Sequence, residues 1–184
     1  RRALHLSALT TFRPHMEHPL QSSEPQGGHG TPHDETVGDP SLDDFEAGLR
    51  RFGLQAALGY LNKWVPHRFT AIYALEGDLL RNMEVFDERN EIRALDLQTV
   101  QLNESFCQVV LRDGKLITTD SAADARLEGS PYQGVVHSYV GVPVAIPGGG
   151  LYGTLCHYDV VERHIADKEF EFFRQSALIL AHYV

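Results

Sequence analysis

A glycine-rich turn near the end of the sequence constrains the fold more than any other feature. The turn is PGGG at residues 147–150, and it joins two runs rich in β-branched and aromatic residues, 138–146 and 151–161. Glycine readily adopts the backbone angles of tight turns between antiparallel strands, so the pattern predicts a β-hairpin. A phosphate-binding loop would instead open a helix, whereas here a strand follows.

Helical patterns stand at both ends of the same domain. Ser41 follows Asp39 and Pro40 as an N-cap, and Gly53 weakens the helix that follows enough to predict a break there. A terminal helix begins near Asp167, with apolar residues on two of its faces. In the first helix the apolar residues recur at steps of three and four: Leu42, Phe45, Leu49, Phe52 and Ala56.

The middle of the sequence alternates with a period of two, which predicts further strands. A short helix capped by Asn103 is predicted to end at Gly114. Residues 120–137 are irregular and too long for a simple turn, which is typical of segments that cover sites. Together these elements predict an α+β domain around a central antiparallel sheet. The predicted strands are 69–75, 79–86, 95–102 and 116–119.

Residues 1–40 hold five of the ten histidines, several prolines and no sustained apolar periodicity. This composition predicts a flexible tail or linker ahead of a domain at residues 41–184. A flexible segment must lose chain entropy before it presents preorganised ligands, so no metal site is predicted there. The histidines concerned are His5, His15, His18, His29 and His33.

Composition excludes several classes of partner. The formal net charge of −9 repels phosphate backbones and anionic membranes, so we expect neither nucleic acid nor a membrane as a partner. No apolar run reaches the roughly 18 residues that a membrane span needs. Two cysteines are too few for a disulfide-stapled secreted scaffold and favour the cytoplasm, and the sequence leaves their redox state open.

Several stretches resemble those of a known family. SYVGVPV at 138–144 and LYGTLCHYD at 151–159 resemble the closing hairpin of GAF domains. NESFCQVV at 103–110, LITTD at 116–120 and ADARL at 123–127 are similar to the middle of GAF domains in bacterial signalling proteins. The resemblance implies a GAF/PAS-like sheet with both terminal helices on one face. It also implies a ligand cavity on the other face, under the short helix and the irregular segment.

The resemblance does not extend to the signatures of particular GAF types. The Asn-Lys-Phe-Asp-Glu set of the cyclic-nucleotide type and the cysteine set of the methionine sulfoxide reductase type are not matched. Bilin-binding members attach the chromophore to a helical cysteine, whereas Cys156 lies on the last predicted strand. No serine stands in a nucleophile context. We therefore expect no catalytic residue, and the cofactor is unknown.

Seven residues are candidates for ligand contact, each with a plain structural alternative. Asp124 and Arg126 could bind a polar ligand or pair with each other. Adjacent side chains of a strand point to opposite faces, so Cys156 and His157 cannot easily share a metal ion, and no metal site is predicted. For the remaining candidates core packing is the favoured alternative to ligand contact. The seven are Tyr73, Cys107, Asp124, Arg126, His137, Tyr139 and Cys156.

These patterns predict a regulatory domain that binds a small molecule, performs no catalysis and forms a homodimer through its terminal helices. One alternative is a ligand-free module for protein interaction or dimerisation. Another is a redox sensor or enzyme that uses the thiol of Cys107 or Cys156.

Overall fold

The computed structural model describes residues 38–91 and 99–184, so the predicted tail lies outside the described residues up to position 37. Residues Pro40–Val184 form one compact unit. None of the described helices is both long and apolar enough to cross a membrane. The helices are α1 (Leu42–Asn62), α2 (Cys107–Asp113) and α3 (Asp167–Leu180). The strands are β1 (Phe69–Glu76), β2 (Leu79–Asp87), β3 (Thr99–Gln101), β4 (Leu116–Thr118), β5 (Ser138–Ala145) and β6 (Leu151–Asp159).

The described strands form one antiparallel sheet with the order β3-β2-β1-β6-β5-β4. At its centre, residues 69–74 of β1 pair with residues 153–158 of β6. This pairing joins the first hairpin to the closing hairpin, both of which the sequence predicted. The third predicted strand is confirmed for Thr99–Gln101, and residues 95–98 lie outside the described part of the chain.

Helix α1 reverses direction at its middle. It begins as predicted, because the Ser41 hydroxyl accepts a hydrogen bond from the Asp44 amide at 3.2 Å. Gly53, with φ of 81° and ψ of −171°, breaks it. The Ser41 amide donates to the Tyr60 hydroxyl at 3.1 Å, whereas an unbroken helix would separate these residues by roughly 28 Å. The two halves of α1 therefore lie side by side.

The reversal overturns part of the predicted apolar stripe. Phe52 is 65 % exposed and Ala56 is also exposed, although the three-and-four spacing placed both with Phe45 on one face. The positive φ at Gly53 interrupts the helix, so the residues after it do not continue the three-and-four spacing of the residues before it. Beyond it, Ala57, Leu58 and Leu61 are buried instead.

The predicted cap of the short helix was also wrong. Asn103 lies in a separate 3₁₀ turn, Leu102–Glu104, and α2 begins at Cys107 after Phe106. The Ser105 amide donates to the Leu102 carbonyl at 3.1 Å, and this bond ends the 3₁₀ turn before α2 begins. The predicted end of this helix is confirmed, since Gly114 caps it in the left-handed conformation with φ of 80°.

The two terminal helices cover one face of the sheet, and α2 lies on the other. The buried apolar cluster on the helix face draws on both helices and on the central strands, as the resemblance implied. Its largest members are Phe45, Leu49, Leu58, Leu61, Ile72, Leu155, Phe172, Phe173 and Leu180.

A pair of buried histidines sits inside this helix face. The rings of His67 and His157 stack with centroids 6.0 Å apart, and His157 lies 4.1 Å from the Phe173 ring. Thr70 Oγ1 bonds His157 Nδ1 at 2.7 Å, but neither ring nitrogen of His67 has a partner among the described residues. Burial lowers the pKa of His67 to about 4, although Asp159 partly opposes the shift.

The buried histidine predicts a loss of stability in mild acid. Between pH 6.5 and about 4 the unfolded chain binds a proton at His67 that the folded chain rejects, so the free energy of unfolding falls as the pH falls. The contribution of this residue is about 3 kcal/mol. Urea unfolding, followed by fluorescence of Trp64, should show this slope in the wild type and a flatter slope in His67→Leu. The exposed control His164→Leu should keep the wild-type slope, and an unchanged slope in His67→Leu would contradict the assignment.

The central strand pair predicts a severe effect at Gly153. A β-carbon there would lie 1.8 Å from the Tyr73 carbonyl oxygen, so Gly153→Ala must push β1 and β6 apart. We expect a loss of about 3 kcal/mol or more in the free energy of unfolding. Gly48→Ala is the control, because a β-carbon at Gly48 meets no atom within 4 Å. Equal stability of the two variants would show that the close strand approach is not required.

Candidate functional site

The candidate site is the sheet face that lies opposite the terminal helices. Side chains alternate along β6, so Leu155 and His157 point toward the helices while Cys156 and its neighbours two residues away point toward α2. On this second face α2 packs closely, since a β-carbon at Gly141 would meet the Val110 side chain at 2.8 Å. The resemblance implies a ligand cavity on this face.

One half of the face is a cluster of thiols and hydroxyls. Thr154 Oγ1 donates to Cys107 Sγ at 3.1 Å, and the Tyr139 hydroxyl lies 3.4 Å from the same sulfur. The Cys156 thiol donates to the Ala71 carbonyl at 3.6 Å. We call Cys107, Tyr139, Thr154 and Cys156 the thiol cluster. Three of its four members were predicted site residues.

Burial sets the protonation of the thiol cluster. Both cysteines are free thiols and both are buried. Desolvation raises the pKa of Cys107 and, more strongly, that of Cys156, and it also raises the pKa of the Tyr139 phenol. The reactive form of cysteine is the thiolate. At neutral pH the cluster is therefore a set of neutral hydrogen-bonding groups.

The other half of the face holds the polar triad, which consists of Tyr73, Asn82 and Tyr158. Tyr73 lies opposite Asn82 across the first hairpin, and it is half-buried while the other two are over nine-tenths buried. Burial raises the pKa of Tyr73, and the phenol lies near enough to both Asn82 and Tyr158 to interact with them.

Polar atoms of the triad lack partners. The side-chain oxygen and nitrogen of Asn82 and the Tyr158 hydroxyl make no hydrogen bond within residues 38–91 and 99–184. A buried polar group without a partner costs about 1–3 kcal/mol, and such groups are rare in folded proteins. The Tyr73 hydroxyl lies close to both residues, so these three atoms can be satisfied by a small adjustment toward Tyr73 or by an additional molecule.

Sequence reasoning missed Asn82, and Tyr158 was not among its seven candidates. A signal for Asn82 did exist in the first hairpin. Counting outward from the turn at Gly77 pairs Leu75 with Leu80 and then Tyr73 with Asn82, so the register identifies the residue opposite a candidate tyrosine. The sequence holds no such signal that the side chains of Asn82 and Tyr158 lack hydrogen-bond partners, because the available partners depend on residues far apart in the chain.

Arg126 is exposed and Asp124 is partly buried beside it, and their side-chain hydrogen bonds connect them to each other and to β4. Asp124 accepts two hydrogen bonds from the Arg126 guanidinium, at 2.6 and 2.9 Å, and Arg126 also donates to the Ile117 carbonyl at 3.0 Å. The guanidinium bond lowers the pKa of Asp124 to about 2. The pair lines an open groove of about 490 Å³ together with residues 117–120, 123 and 125. It also ties the irregular segment to β4.

His137 holds the other end of the irregular segment through its backbone. Its amide donates to the Asp159 carbonyl at 2.9 Å, and its carbonyl accepts from the Ser121 amide at 2.8 Å. The side chain is half-buried. Over the described ranges, no three side chains of His, Cys, Asp or Glu are grouped so that they could hold a metal ion.

Comparison with known proteins gives the fold. No protein-family model matches the sequence, and no curated protein sequence matches it. The GAF domain of a phosphoenolpyruvate-protein phosphotransferase from Coxiella burnetii is similar in structure, with a TM-score of 0.62 and 16% identity over 76% of this chain and 88% of that one. Free methionine-R-sulfoxide reductase from Neisseria meningitidis has a TM-score of 0.60 and 14% identity over 76% and 83% of the two chains.

A third similar structure is the chromophore-binding domain of a bacteriophytochrome from R. palustris. Its TM-score is 0.59 at 10% identity, and the match covers 76% of this chain and 57% of that chain. The chain therefore has the GAF fold that its motifs indicated. By their names the three relatives are a phosphotransferase domain, a reductase and a chromophore-binding domain, so the shared fold alone assigns no activity.

The buried thiol cluster predicts unreactive cysteines in the native protein. Cys107 and Cys156 should react with a disulfide reagent such as Ellman's reagent at least about a hundredfold more slowly in the folded chain than in urea. An exposed cysteine introduced by Glu128→Cys is the control and should react at once. Rapid modification of either native thiol would show that the cluster is accessible and would favour thiol chemistry.

Proposed function

We propose that this domain with the GAF fold is a regulatory sensor that binds a small molecule on the sheet face under α2 and performs no catalysis. The observation that carries the proposal is the polar triad, in which buried atoms of Asn82 and Tyr158 lack partners beside the half-buried Tyr73. Most buried polar groups in folded proteins have hydrogen-bond partners, so a bound molecule that supplies the missing bonds would account for the triad.

The surroundings of the triad suit a small organic ligand. The rings of Phe69 and Tyr158 stack with centroids 4.9 Å apart, which gives the triad an aromatic wall. Small-molecule sites are mostly apolar with a few well-placed polar groups, and this half of the face has that composition. The ligand would contact Tyr73, Asn82 and Tyr158, and the thiol cluster would bound its other side.

The two charged candidates and His137 have a different part in this proposal. Asp124 and Arg126 already satisfy each other, and His137 is held by its backbone. These residues fix both ends of the irregular segment, which in this proposal covers the site. We infer that they position the cover and do not contact the ligand.

The state of the thiols supports a non-catalytic role. A thiol enzyme needs a thiolate, which a positive neighbour or a helix N-terminus normally stabilises. Here desolvation raises the pKa of both Cys107 and Cys156, and the neighbours of Cys107 are the hydroxyls of Thr154 and Tyr139. This environment favours the sensor over the redox enzyme.

Strand β6 offers a route from the site to the terminal helices. Cys156 and Tyr158 face the ligand side, while the intervening His157 packs against Phe173 of α3 on the other side. A ligand that shifts β6 would change the packing of α3 and α1. Binding could in this way alter the dimer or an attached effector.

The proposal predicts opposite effects of one substitution at two buried asparagines. Asn82→Leu removes unpaired polar atoms, so the ligand-free protein should be as stable as the wild type or up to about 1 kcal/mol more stable. Asn62→Leu is the matched control on the helix face. It removes the hydrogen bonds to the His67 carbonyl and Thr70 Oγ1, both 2.9 Å, and should destabilise by about 1–3 kcal/mol.

Ligand binding separates the two variants further. Purified wild-type protein is screened by thermal shift against nucleotides, amino acids, aromatic acids and tetrapyrroles, and native mass spectrometry detects a ligand retained from expression. Any stabilising ligand should lose its effect on Asn82→Leu and keep it on Asn62→Leu. A destabilised Asn82→Leu that still responds to the ligand would refute the site.

A further inference from the structure

The first half of α1 forms an arm, residues 41–52, that a single glycine connects to the rest of the domain. Helix precedes and follows Gly53 with no loop between, and Gly53 itself has φ of 81° and ψ of −171°. That combination of angles is essentially restricted to glycine. A β-carbon at Gly53 would meet no atom within 4 Å, so only the backbone conformation requires glycine here.

The arm contacts the domain almost entirely through side chains. Phe45 and Leu49 are buried, and the ring of Phe45 lies 6.4 Å from that of Tyr60. The Ser41 amide donates to the Tyr60 hydroxyl, and the Tyr183 hydroxyl donates to Glu46. None of these contacts requires that the arm and the domain belong to the same copy of the chain. The arm of a second copy could make all of them.

The sequence of α1 carries a pattern that the reversed helix does not use. In a straight helix the apolar positions 42, 45, 49, 52 and 56 step by three and four, which is the spacing of a coiled-coil seam. In the reversed helix Phe52 is 65 % exposed and Ala56 is exposed as well. Only a straight α1 would place these two residues on one face with Phe45 and Leu49.

Straightening also restores hydrogen bonds. A break in a helix leaves up to four amides after it and four carbonyls before it without intrahelical partners. Residues 50–53, 55 and 56 are all exposed, so solvent can reach this part of the chain in the reversed form. A straight helix would return these bonds, and an exchanged arm would keep the packing of Phe45 and Leu49.

We propose that Gly53 is a hinge at which the arm swings out and exchanges between two copies of this chain. In the exchanged dimer each arm packs on Tyr60 of its partner, and the straightened helices meet along Phe52 and Ala56 of both copies. This inference goes beyond ligand binding and does not depend on it. It specifies which contacts form the dimer, and its failure would leave the ligand site untouched.

Gly53→Ala is the primary test in the full chain. Alanine is strained at φ of 81° in the reversed helix and is the best helix former in the straight one, so the substitution should favour exchange. Analytical ultracentrifugation should show a dimer dissociation constant at least about tenfold lower than that of the wild type. Gly48→Ala, within the arm, is the control, because it strengthens the helix equally in both forms and should leave the constant unchanged. A monomeric Gly53→Ala protein would overturn the proposal.

Crosslinking distinguishes exchange from simple association. Glu46→Cys together with Tyr183→Cys places one thiol on the arm and one at the contact that the arm makes with the domain. A short bismaleimide should give covalent dimers that increase with protein concentration in the wild-type background and further in Gly53→Ala. Adding Phe52→Ser should reduce them, because Phe52 lies in the new contact. Crosslinks that stay within one chain at every concentration, in both backgrounds, would exclude exchange even if a dimer forms.

Discussion

The pairing of β1 with β6 is the constraint on which the rest of this domain depends. At Gly153 the backbone of β6 lies so near the Tyr73 carbonyl that no β-carbon fits. This contact brings together strands that are about 80 residues apart in sequence and unites two local hairpins into one sheet. The same register sorts alternate residues of both strands onto two faces, one for the terminal helices and one for α2.

The buried asparagines on the two faces of the sheet differ in their hydrogen bonds. On the helix face the Asn62 amide bonds both the His67 carbonyl and Thr70, and most of the surface is closed by apolar packing. On the α2 face the Asn82 amide has no partner among the residues described, and the Tyr158 hydroxyl also has none. Buried polar atoms without partners occur on both faces, since the ring nitrogens of His67 lack them on the helix face. On the α2 face such atoms of Asn82 and Tyr158 lie beside the half-buried Tyr73, and the proposed ligand site rests on that arrangement.

Coupling between the faces follows from the same strand. His157 is buried between β6 and α3, while its neighbours Cys156 and Tyr158 lie on the opposite face, where the ligand is proposed to bind. Helix α1 joins this layer through Tyr60, which contacts both the arm and Phe172. Packed side chains therefore connect β6, through Phe172 and Tyr60, to the first half of α1.

The sequence by itself determined the hairpins, the Ser41 cap, the break at Gly53 and, through its motifs, the GAF fold. These features depend on residues close together in the chain, where spacing, turn chemistry and backbone preference act directly. Tertiary structure alone decided that the two halves of α1 pack against each other and that Asn82 and Tyr158 lack partners. The physical reason is that burial and hydrogen-bond satisfaction depend on which distant residues meet, and no local pattern records that meeting.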